Sequence, residues 1–543
     1  MKGRFRNAGS EVISLKRILC CILLCALLCG CGIAPSARET AQPTETENPN
    51  RAVLPAAKVH KDFGLAYVPE YGFNPYKCIC ITNRPVFSLV YESLFVLNDS
   101  FQPEPVLCDR FAVSEDGTTC LLTLCQGVTF SDGTPLTAQD AVASLNAAKD
   151  SDYYGSRFSN VTEVTARDEM TLEISLSHAY ENFPLLLDVP IVKAGTQENE
   201  RPLGTGPYVF SEQLTGLCLR RNQRWWQDNR APIEYDTILL TGADNPAAVR
   251  DSFEFGDTAL VCADLNAPNA VGYRCDYELW DCPTTTMVYL GFNLNGGIFS
   301  YSALRGAVTH MIDRDSLIVS AFKGFGDAAT LPCAPDSPLY DRDLAMLYSY
   351  DEEAAAQVLR TAAVRSDAPG TLLVNAADAA RVELARSIAE AMTQKGLPME
   401  VTAVDAETFR SRLEKGKYDA FLGETRLSAD FDLTEFFRSG GSLCYGGIRS
   451  SDMEALCYEA LENSGNCYDL FRGVMENAYF CPILFKSYAV MANRGVIGSL
   501  QPAVDCVFHL AGGRSLVDAS VSYGELTGTP VEEETEPETE DSP

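Results

Sequence analysis

The sequence predicts a mixed α/β protein with two lobes, and three observations support this fold class. The chain has 543 residues, more than a single hydrophobic core usually organises, so more than one compact region is expected. The first half, up to about Asn293, is rich in strand-like segments. From Tyr301 onward, strand and helix patterns alternate, which is typical of parallel strands joined by crossover helices.

In the first half, the strongest local signals are two strands and the helix between them. Residues 121–130 are strand-like, and residues 168–177 place apolar side chains at alternate positions, as a half-buried strand does. Thr137 and Asp140 have capping-box spacing, with Asp in place of the usual Glu. They predict a helix that begins there and continues through Ala148.

In the second half, helical spacing begins after Tyr301, and Asp315 is the predicted cap of a further helix over 317–323. Apolar runs then predict three short strands. Helical stripes separate them, so the three strands are expected to lie parallel in one sheet. The strands are expected at 372–375, 399–404 and 418–423, and the helices around 382–392 and 409–413.

The amino-terminal segment has the pattern of an export signal. Lys16 and Arg17 precede an apolar run at 18–28 that is too short to cross a bilayer. The run ends in Leu28-Cys29-Gly30-Cys31, which resembles the lipobox of bacterial lipoproteins. That resemblance implies cleavage before Cys31 and a lipid on its thiol. The alternative is an ordinary signal peptide that happens to be rich in cysteine.

The two ends of the secreted chain have the composition of unfolded polypeptide. Residues 31–57 are rich in Pro, Thr, Glu and Asn and predict a disordered tether, and residues 527–543 predict a disordered acidic tail. The formal net charge of the whole chain is -31. Such an acidic protein should repel nucleic acid and anionic membrane surfaces, so neither is an expected partner.

Cysteine and histidine give no metal or redox pattern. Of the 20 cysteines, the 15 that follow Cys31 are an odd number, so they cannot all pair internally. Export permits disulfides between Cys275 and Cys282 or between Cys108 and Cys120. Free buried thiols that act as small apolar groups are the more common outcome and the one we expect. The 4 histidines lack ligand spacing, and no nucleophile or phosphate-loop motif occurs, so we expect no metal, no cofactor and no enzymatic activity.

Several short motifs occur in the order found in one protein family. Together they resemble the bacterial extracellular solute-binding proteins of family 5, which serve peptide and nickel ABC importers. The matching segments extend from about residue 65 to residue 500. They are 90–94, 102–107, 114–117, 127–133, 204–208, 224–226, 292–293, 305–307, 312–314, 350–351 and 354–359.

This resemblance implies a two-lobed periplasmic-binding-protein-like fold of class II, with an extra subdomain and a hinge. Residues 1–30 would be the signal peptide. Residues 58–85, 195–290 and 498–526 would form one lobe, 86–194 the attached subdomain, and 291–497 the other lobe.

The resemblance also implies a ligand-binding aspartate. In the family this residue follows a strand of the second lobe and precedes a short helix, and Asp430 has that position here. Asp430 is therefore expected to meet a ligand ammonium group, and Arg426 is a second candidate, for a ligand carboxylate. The family often has Trp three residues before the aspartate, where this chain has Leu427. Asp430 or Asp432 could instead cap the short helix.

The implied function is capture of a peptide or similar small solute at the outer face of the cytoplasmic membrane, for delivery to an ABC permease and its ATPase. The protein would be an exported monomer attached to the membrane by its lipid alone. The alternatives are a sensing lipoprotein without transport, a binder of a metal chelate or sugar, and, least favoured, a lipoprotein hydrolase.

Overall fold

The computed structural model describes residues 63–214, 216–227, 233–362, 368–510 and 513–527. Contacts divide the chain into two units, Met1–Pro55 and Ala56–Pro543, and every described residue belongs to the second. The predicted signal peptide, Cys31, the tether and residues 528–543 of the tail lie outside the described residues. Within the described ranges, no helix combines the length and apolar character that a membrane span requires.

The secondary structure consists of many short strands and helices and two much longer strands, β14 and β19. In chain order the strands are β1 (Phe63–Tyr67), β2 (Glu92–Ser93), β3 (Phe95–Leu97), β4 (Pro103–Pro105), β5 (Cys108–Val113), β6 (Thr119–Leu124), β7 (Val161–Ala166), β8 (Thr171–Leu176), β9 (Pro190–Ile191), β10 (Tyr208–Gln213), β11 (Gly216–Arg221), β12 (Thr237–Gly242), β13 (Leu260–Ala263), β14 (Tyr277–Phe292), β15 (Asp327–Ala328), β16 (Gly370–Asn375), β17 (Met399–Val404), β18 (Ala420–Arg426) and β19 (Phe480–Asn493). The helices are α1 (Arg84–Val90), α2 (Ala138–Lys149), α3 (Pro246–Phe255), α4 (Ser302–Met311), α5 (Arg314–Ala321), α6 (Arg342–Met346), α7 (Glu352–Ala362), α8 (Ala379–Gln394), α9 (Ala406–Glu414), α10 (Thr434–Phe437), α11 (Ser451–Glu462), α12 (Cys467–Asn477), α13 (Leu516–Ala519) and α14 (Tyr523–Thr527).

A sheet of 11 strands organises the described part of the chain, in the order β10-β11-β12-β1-β13-β19-β14-β18-β16-β17, with β15 paired to β19. The long antiparallel strands β14 and β19 lie in the middle and join its two halves. Their register shifts between Pro283 and Met287. Proline cannot donate to a strand ladder, so an irregularity is expected where a proline interrupts a paired strand.

The predicted parallel strands of the second half are confirmed. Strand β16 pairs in parallel with both β17 and β18, and α8 and α9 form the crossovers. Helix α8 buries Val382, Ile388 and Met392 on one face, which is the apolar stripe seen in the sequence. The hydrophobic effect thus fixes this helix against the sheet.

A separate sheet of four strands, β5-β6-β8-β7, belongs to the first half, and α2 packs against it. The predicted capping box is confirmed, because the carboxylate of Asp140 accepts from both the backbone N–H and the hydroxyl of Thr137. The strand expected over 121–130 ends earlier, at Leu124. The chain turns just after it, where Gly127 has a φ of 79°.

One predicted helix cap was wrong. Asp313, and not Asp315, accepts the backbone N–H of Ser316 and begins α5. Asp315 lies in the first turn of that helix instead. All 15 cysteines within the described residues are unpaired, so neither proposed disulfide is present and most of these thiols are buried as small apolar groups.

Candidate functional site

Asp430 lies in the loop between β18 and α10. The next residue, Phe431, has a left-handed φ of 58° and is buried against the rings of Phe101 and Phe485, with 5.4 Å between ring centroids in each case. A bulky residue adopts this backbone conformation only where its surroundings enforce it. Packing of the Phe431 ring therefore fixes the direction in which Asp430 points.

The side chain of Asp430 is buried, with 6% of the residue exposed. Its Oδ2 accepts a hydrogen bond from the hydroxyl of Tyr180, while its Oδ1 has no partner among the described residues. Burial raises the pKa of Asp430, and nearby hydrogen-bond donors offset only part of that effect. The adjoining cavity holds about 10 Å³, room for one water at most. In this arrangement the Tyr180 hydroxyl is bonded to one of the two carboxylate oxygens of Asp430.

Asp432 contacts the first residue of α10, although the N-cap position of that helix is Leu433 and has no side-chain cap. The Oδ1 of Asp432 accepts the backbone N–H of Thr434 at 2.8 Å and the Thr434 hydroxyl at 2.5 Å, at the start of α10. Burial, and then the charge of Asp430, raise the pKa of Asp432 to about 6. No hydrogen bond joins the Asp430 side chain to α10 among the described contacts. The two neighbouring carboxylates therefore have different environments.

Arg426, at the end of β18, already has an acidic partner. Its Nη2 donates to Oδ2 of Asp505 at 2.5 Å. Its guanidinium group also lies over the ring of Tyr153, 4.3 Å from the centroid, a distance at which cation–π attraction contributes. For Arg426 to bind a ligand carboxylate, it would have to exchange or share the carboxylate of Asp505.

Arg84 shares the same aromatic ring and was not predicted from the sequence. Its guanidinium carbon lies 4.0 Å from the centroid of Tyr153 and 5.9 Å from that of Phe87. Its Nε and Nη1 are buried and have no hydrogen-bond partner among the described residues. The available signal was a single charge at the start of a segment, 85–90, that is otherwise apolar apart from Ser88.

Two cavities border these groups. One, of about 90 Å³, is lined by Arg84, Tyr154, Asp188, Asp505 and their neighbours. The other is a polar cleft of about 540 Å³, whose walls come from distant parts of the chain. They include Arg157, His178, Tyr180, Arg426, Asp432 and Arg438.

Glu92 joins three of the sequence motifs, 90–94, 204–208 and 224–226, through its side-chain hydrogen bonds. Its buried carboxylate accepts from the hydroxyl of Thr205 at 2.8 Å and from the indole Nε1 atoms of Trp225 and Trp226, each at 3.0 Å in its shorter contact. Burial raises the pKa of Glu92 to about 7, and these hydrogen bonds hold it from rising further. At Gly204 a Cβ atom would lie 2.1 Å from the carbonyl oxygen of Val90, so this turn requires glycine.

Lys486 links the two halves of the large sheet. From the middle of β19, its Nζ donates to Oδ2 of Asp264, just after β13, at 2.7 Å and lies 3.5 Å from Oε2 of Glu424 on β18. Burial lowers the pKa of Lys486, but the charges of Glu424 and Asp264 more than offset this and leave it raised. The buried ammonium group therefore stays charged between one carboxylate from each side. Among the described residues no cluster of side chains has the arrangement of a metal site.

Comparison with known sequences gives a family. The sequence profile described as "Bacterial extracellular solute-binding proteins, family 5 Middle" matches residues 102–442, more than half of the chain. The glutathione-binding protein GsiB of Salmonella paratyphi A is 24% identical over 371 residues, which cover 64% of this chain and 70% of that protein. GsiB of Escherichia coli K12 is 24% identical over 363 residues, with the same coverage.

Solved structures show the same fold. The ABC transporter substrate-binding protein CtaP of Listeria monocytogenes superposes with a TM-score of 0.65 at 18% identity, over 80% of this chain and 94% of that one. NikZ of Campylobacter jejuni, solved with Ni(L-His), gives a TM-score of 0.59 at 19% identity, over 83% and 97% of the two chains. The two-lobed α/β periplasmic-binding fold predicted from the sequence is confirmed. The chain belongs to the bacterial extracellular solute-binding proteins of family 5.

Proposed function

We propose that this protein captures a peptide or similar small solute outside the cell and delivers it to an ABC permease and its ATPase. The observation that carries the proposal is a set of buried polar atoms without partners, which include Oδ1 of Asp430, Oδ1 of Asp505 and two nitrogens of Arg84. Buried polar groups in folded proteins are nearly always hydrogen-bonded. A cluster of exceptions beside cavities is what a binding cleft closed without its solute should contain.

Hinge closure is the mechanism that fits this arrangement. Strands β14 and β19 join the two halves of the sheet, so bending them would separate Tyr180 from Asp430 and open the cleft. The lobes proposed for this motion are those expected from the sequence, with 58–85, 195–290 and 498–526 on one side, 291–497 on the other, and 86–194 as an attached subdomain. Closure would remove the solute from water and strengthen each charged contact.

In the open protein, Asp430 would accept the ammonium group of the solute, with the solute taking the place of the Tyr180 hydroxyl. A charge-assisted hydrogen bond of this kind contributes about 1.5–3 kcal/mol. Arg426 would contribute to a solute carboxylate while it stays close to Asp505. Glutathione, which the GsiB relatives bind by name, carries both kinds of group and is a reasonable first probe.

The protein would be attached to the outer face of the membrane through a lipid on Cys31. It would act as a monomer and catalyse no reaction. The 26-residue tether over 32–57 is rich in polar residues and proline, which suits a spacer between membrane and binding domain.

The direct test is to identify the solute. Protein purified under mild conditions is denatured, and the released small molecules are analysed by mass spectrometry. Isothermal titration of solute-free protein with each molecule found, with trialanine and with glutathione should give binding that closes the protein and lowers its radius of gyration in X-ray scattering. Cleavage of the peptides, or the absence of binding by any released molecule, would contradict the proposal.

A further inference from the structure

Arg84 stands out among the charged groups around the 90 Å³ cavity. The other charged residues that line or border it are Arg157, Asp188, Arg426, Asp505 and Glu92. Arg157 donates to Asp188, and Arg426 donates to Asp505. Glu92 is satisfied by hydroxyl and indole donors.

Arg84 has no ion pair among the described residues, and two of its nitrogens donate to nothing. Its guanidinium group lies over the rings of Tyr153 and Phe87, which attract the cation but accept no hydrogen bond in the plane of that group. Leaving such donors unsatisfied away from water is unfavourable. We therefore expect Arg84 to find its hydrogen-bond partner in a bound solute, and the adjoining cavity is where that solute group would lie.

The cavity also supplies an acceptor. Asp505 uses Oδ2 for Arg426, and its Oδ1 is buried without a partner. Asp505 has a φ of 56°, so the backbone there is held in the left-handed region that Asp tolerates better than most residues. Arg84 and Asp505, which both carry buried polar atoms without a partner, are therefore both among the residues that line the same small space.

We propose that Arg84 binds a carboxylate of the solute in this cavity, and that Oδ1 of Asp505 accepts an N–H from the same end of the solute. The carboxyl terminus of a peptide has both groups. The planar guanidinium group matches a carboxylate with two parallel hydrogen bonds. A cavity of about 90 Å³ is too small for a whole peptide and suits its carboxylate end.

This inference rests on the proposed function, since it names the group by which the solute is recognised. Arg157 and Arg426 are paired with Asp188 and Asp505, and Glu92 is held by hydroxyl and indole donors, so the cation without a carboxylate partner at this cavity is Arg84. It therefore selects solutes with an anionic end. It also gives Arg84 the carboxylate role for which the sequence had suggested Arg426.

The test compares two probes that differ only in this group, trialanine with a free carboxyl terminus and its carboxyl-terminal amide. Binding to the purified full-length protein is measured by calorimetry for wild type, Arg84→Gln, Arg84→Lys and Arg386→Gln. Arg386 is an exposed arginine on α8 and serves as the control. Wild type and Arg386→Gln should bind the free acid at least tenfold more tightly than the amide. Arg84→Gln should lose that preference, and Arg84→Lys should keep part of it.

Melting temperatures without solute separate ligand binding from a structural role. Arg84→Gln removes an unsatisfied charge, so its melting temperature should equal or exceed that of wild type. A melting temperature lowered by several degrees would overturn the inference, and so would equal affinity of wild type for acid and amide. Equal affinity would leave the proposed function intact, because the peptide would still bind.

If wild type binds neither peptide, the peptide part of the proposed function fails, and small anions then decide the inference. Sodium acetate, phosphate and chloride are compared at equal ionic strength by thermal shift. Acetate that stabilises wild type and not Arg84→Gln supports a carboxylate site. Stabilisation by phosphate alone, or no difference between the two proteins, overturns it.

Discussion

Tyr180 donates its hydroxyl hydrogen bond to the buried carboxylate of Asp430, across 250 positions of sequence. Tyr180 follows the four-stranded sheet of the first half, whereas Asp430 follows β18 of the large sheet. The bond therefore ties together two regions that would separate if the cleft opened. It also satisfies one oxygen of a carboxylate whose other oxygen has no partner.

The first prediction tests Asp430 as the receptor of a ligand ammonium group. Asp430→Asn should weaken binding of the identified solute by about tenfold or more, because about 1.5–3 kcal/mol of charge-assisted hydrogen bonding is lost. The melting temperature of the unliganded protein should stay close to that of wild type, since Asn still accepts from Tyr180. Calorimetry and thermal unfolding on the same preparation give both numbers.

Asp432→Ala is the control for that experiment. Asp432 holds the backbone of Thr434 at the start of α10, so its replacement should lower stability by roughly 0.5–2 kcal/mol and change affinity little. If Asp430→Asn lowers the melting temperature and leaves affinity unchanged, its role is structural and the ligand assignment is wrong.

The sequence predicted the fold better than the site, and Arg84 shows why. Parallel strands, crossover helices and the Thr137 capping box follow from patterns within short segments, where spacing alone decides the outcome. The environment of Arg84 depends on Tyr153 and Asp505, which only the folded chain brings close. A basic residue ahead of an apolar stretch could equally have pointed into solvent.

The N-cap residue of α5 is a second feature that local sequence patterns could not predict. Asp313 and Asp315 are both suitable N-cap residues, and propensity does not distinguish between them. The residue between them, Arg314, is buried and donates to the carbonyl oxygens of Ala329 and Pro482, which places it in the helix. Because these contacts are distant in sequence, the local pattern placed the start of the helix too late.

The second prediction concerns the pH dependence of stability. The pKa of Glu92 in the folded protein is about 7, above its usual value of 4.5, so the folded state binds a proton more tightly than the unfolded state. The stability that Glu92 contributes is therefore complete below about pH 4.5 and is lost as pH rises toward 7. The difference corresponds to about 3 kcal/mol.

Glu92→Gln removes this titration while it keeps an acceptor for Trp225. The difference in unfolding free energy between wild type and Glu92→Gln should change in favour of the variant as pH rises from 4.5 to 7. Urea unfolding at several pH values, without solute, measures it. A constant difference over that range would show that Glu92 does not titrate there.

The third prediction concerns membrane attachment. Cys31 should be the first residue of the mature protein and carry lipid, because the apolar run at 18–28 ends in a sequence that resembles a lipobox. Metabolic labelling with a fatty-acid analogue should tag wild type and not Cys31→Ala. Cys29→Ala keeps the cysteine at the expected cleavage site and should be tagged like wild type. Equal labelling of wild type and Cys31→Ala would rule out this anchor.

The last prediction concerns the ion-paired lysine between the two halves of the sheet. Lys486→Met would leave the carboxylates of Asp264 and Glu424 without their shared cation, and removing one partner of a buried ion pair costs about 3–5 kcal/mol. The double variant Lys486→Met with Asp264→Asn removes one of the stranded charges and should recover part of this loss. Lys415→Met, at an exposed position beyond α9, controls for loss of a lysine as such. Denaturant unfolding of the unliganded proteins should rank wild type and Lys415→Met together, then the double variant, then Lys486→Met. If Lys486→Met unfolds with wild type, the triad does not hold the two halves together, because the charges must then be solvated without it.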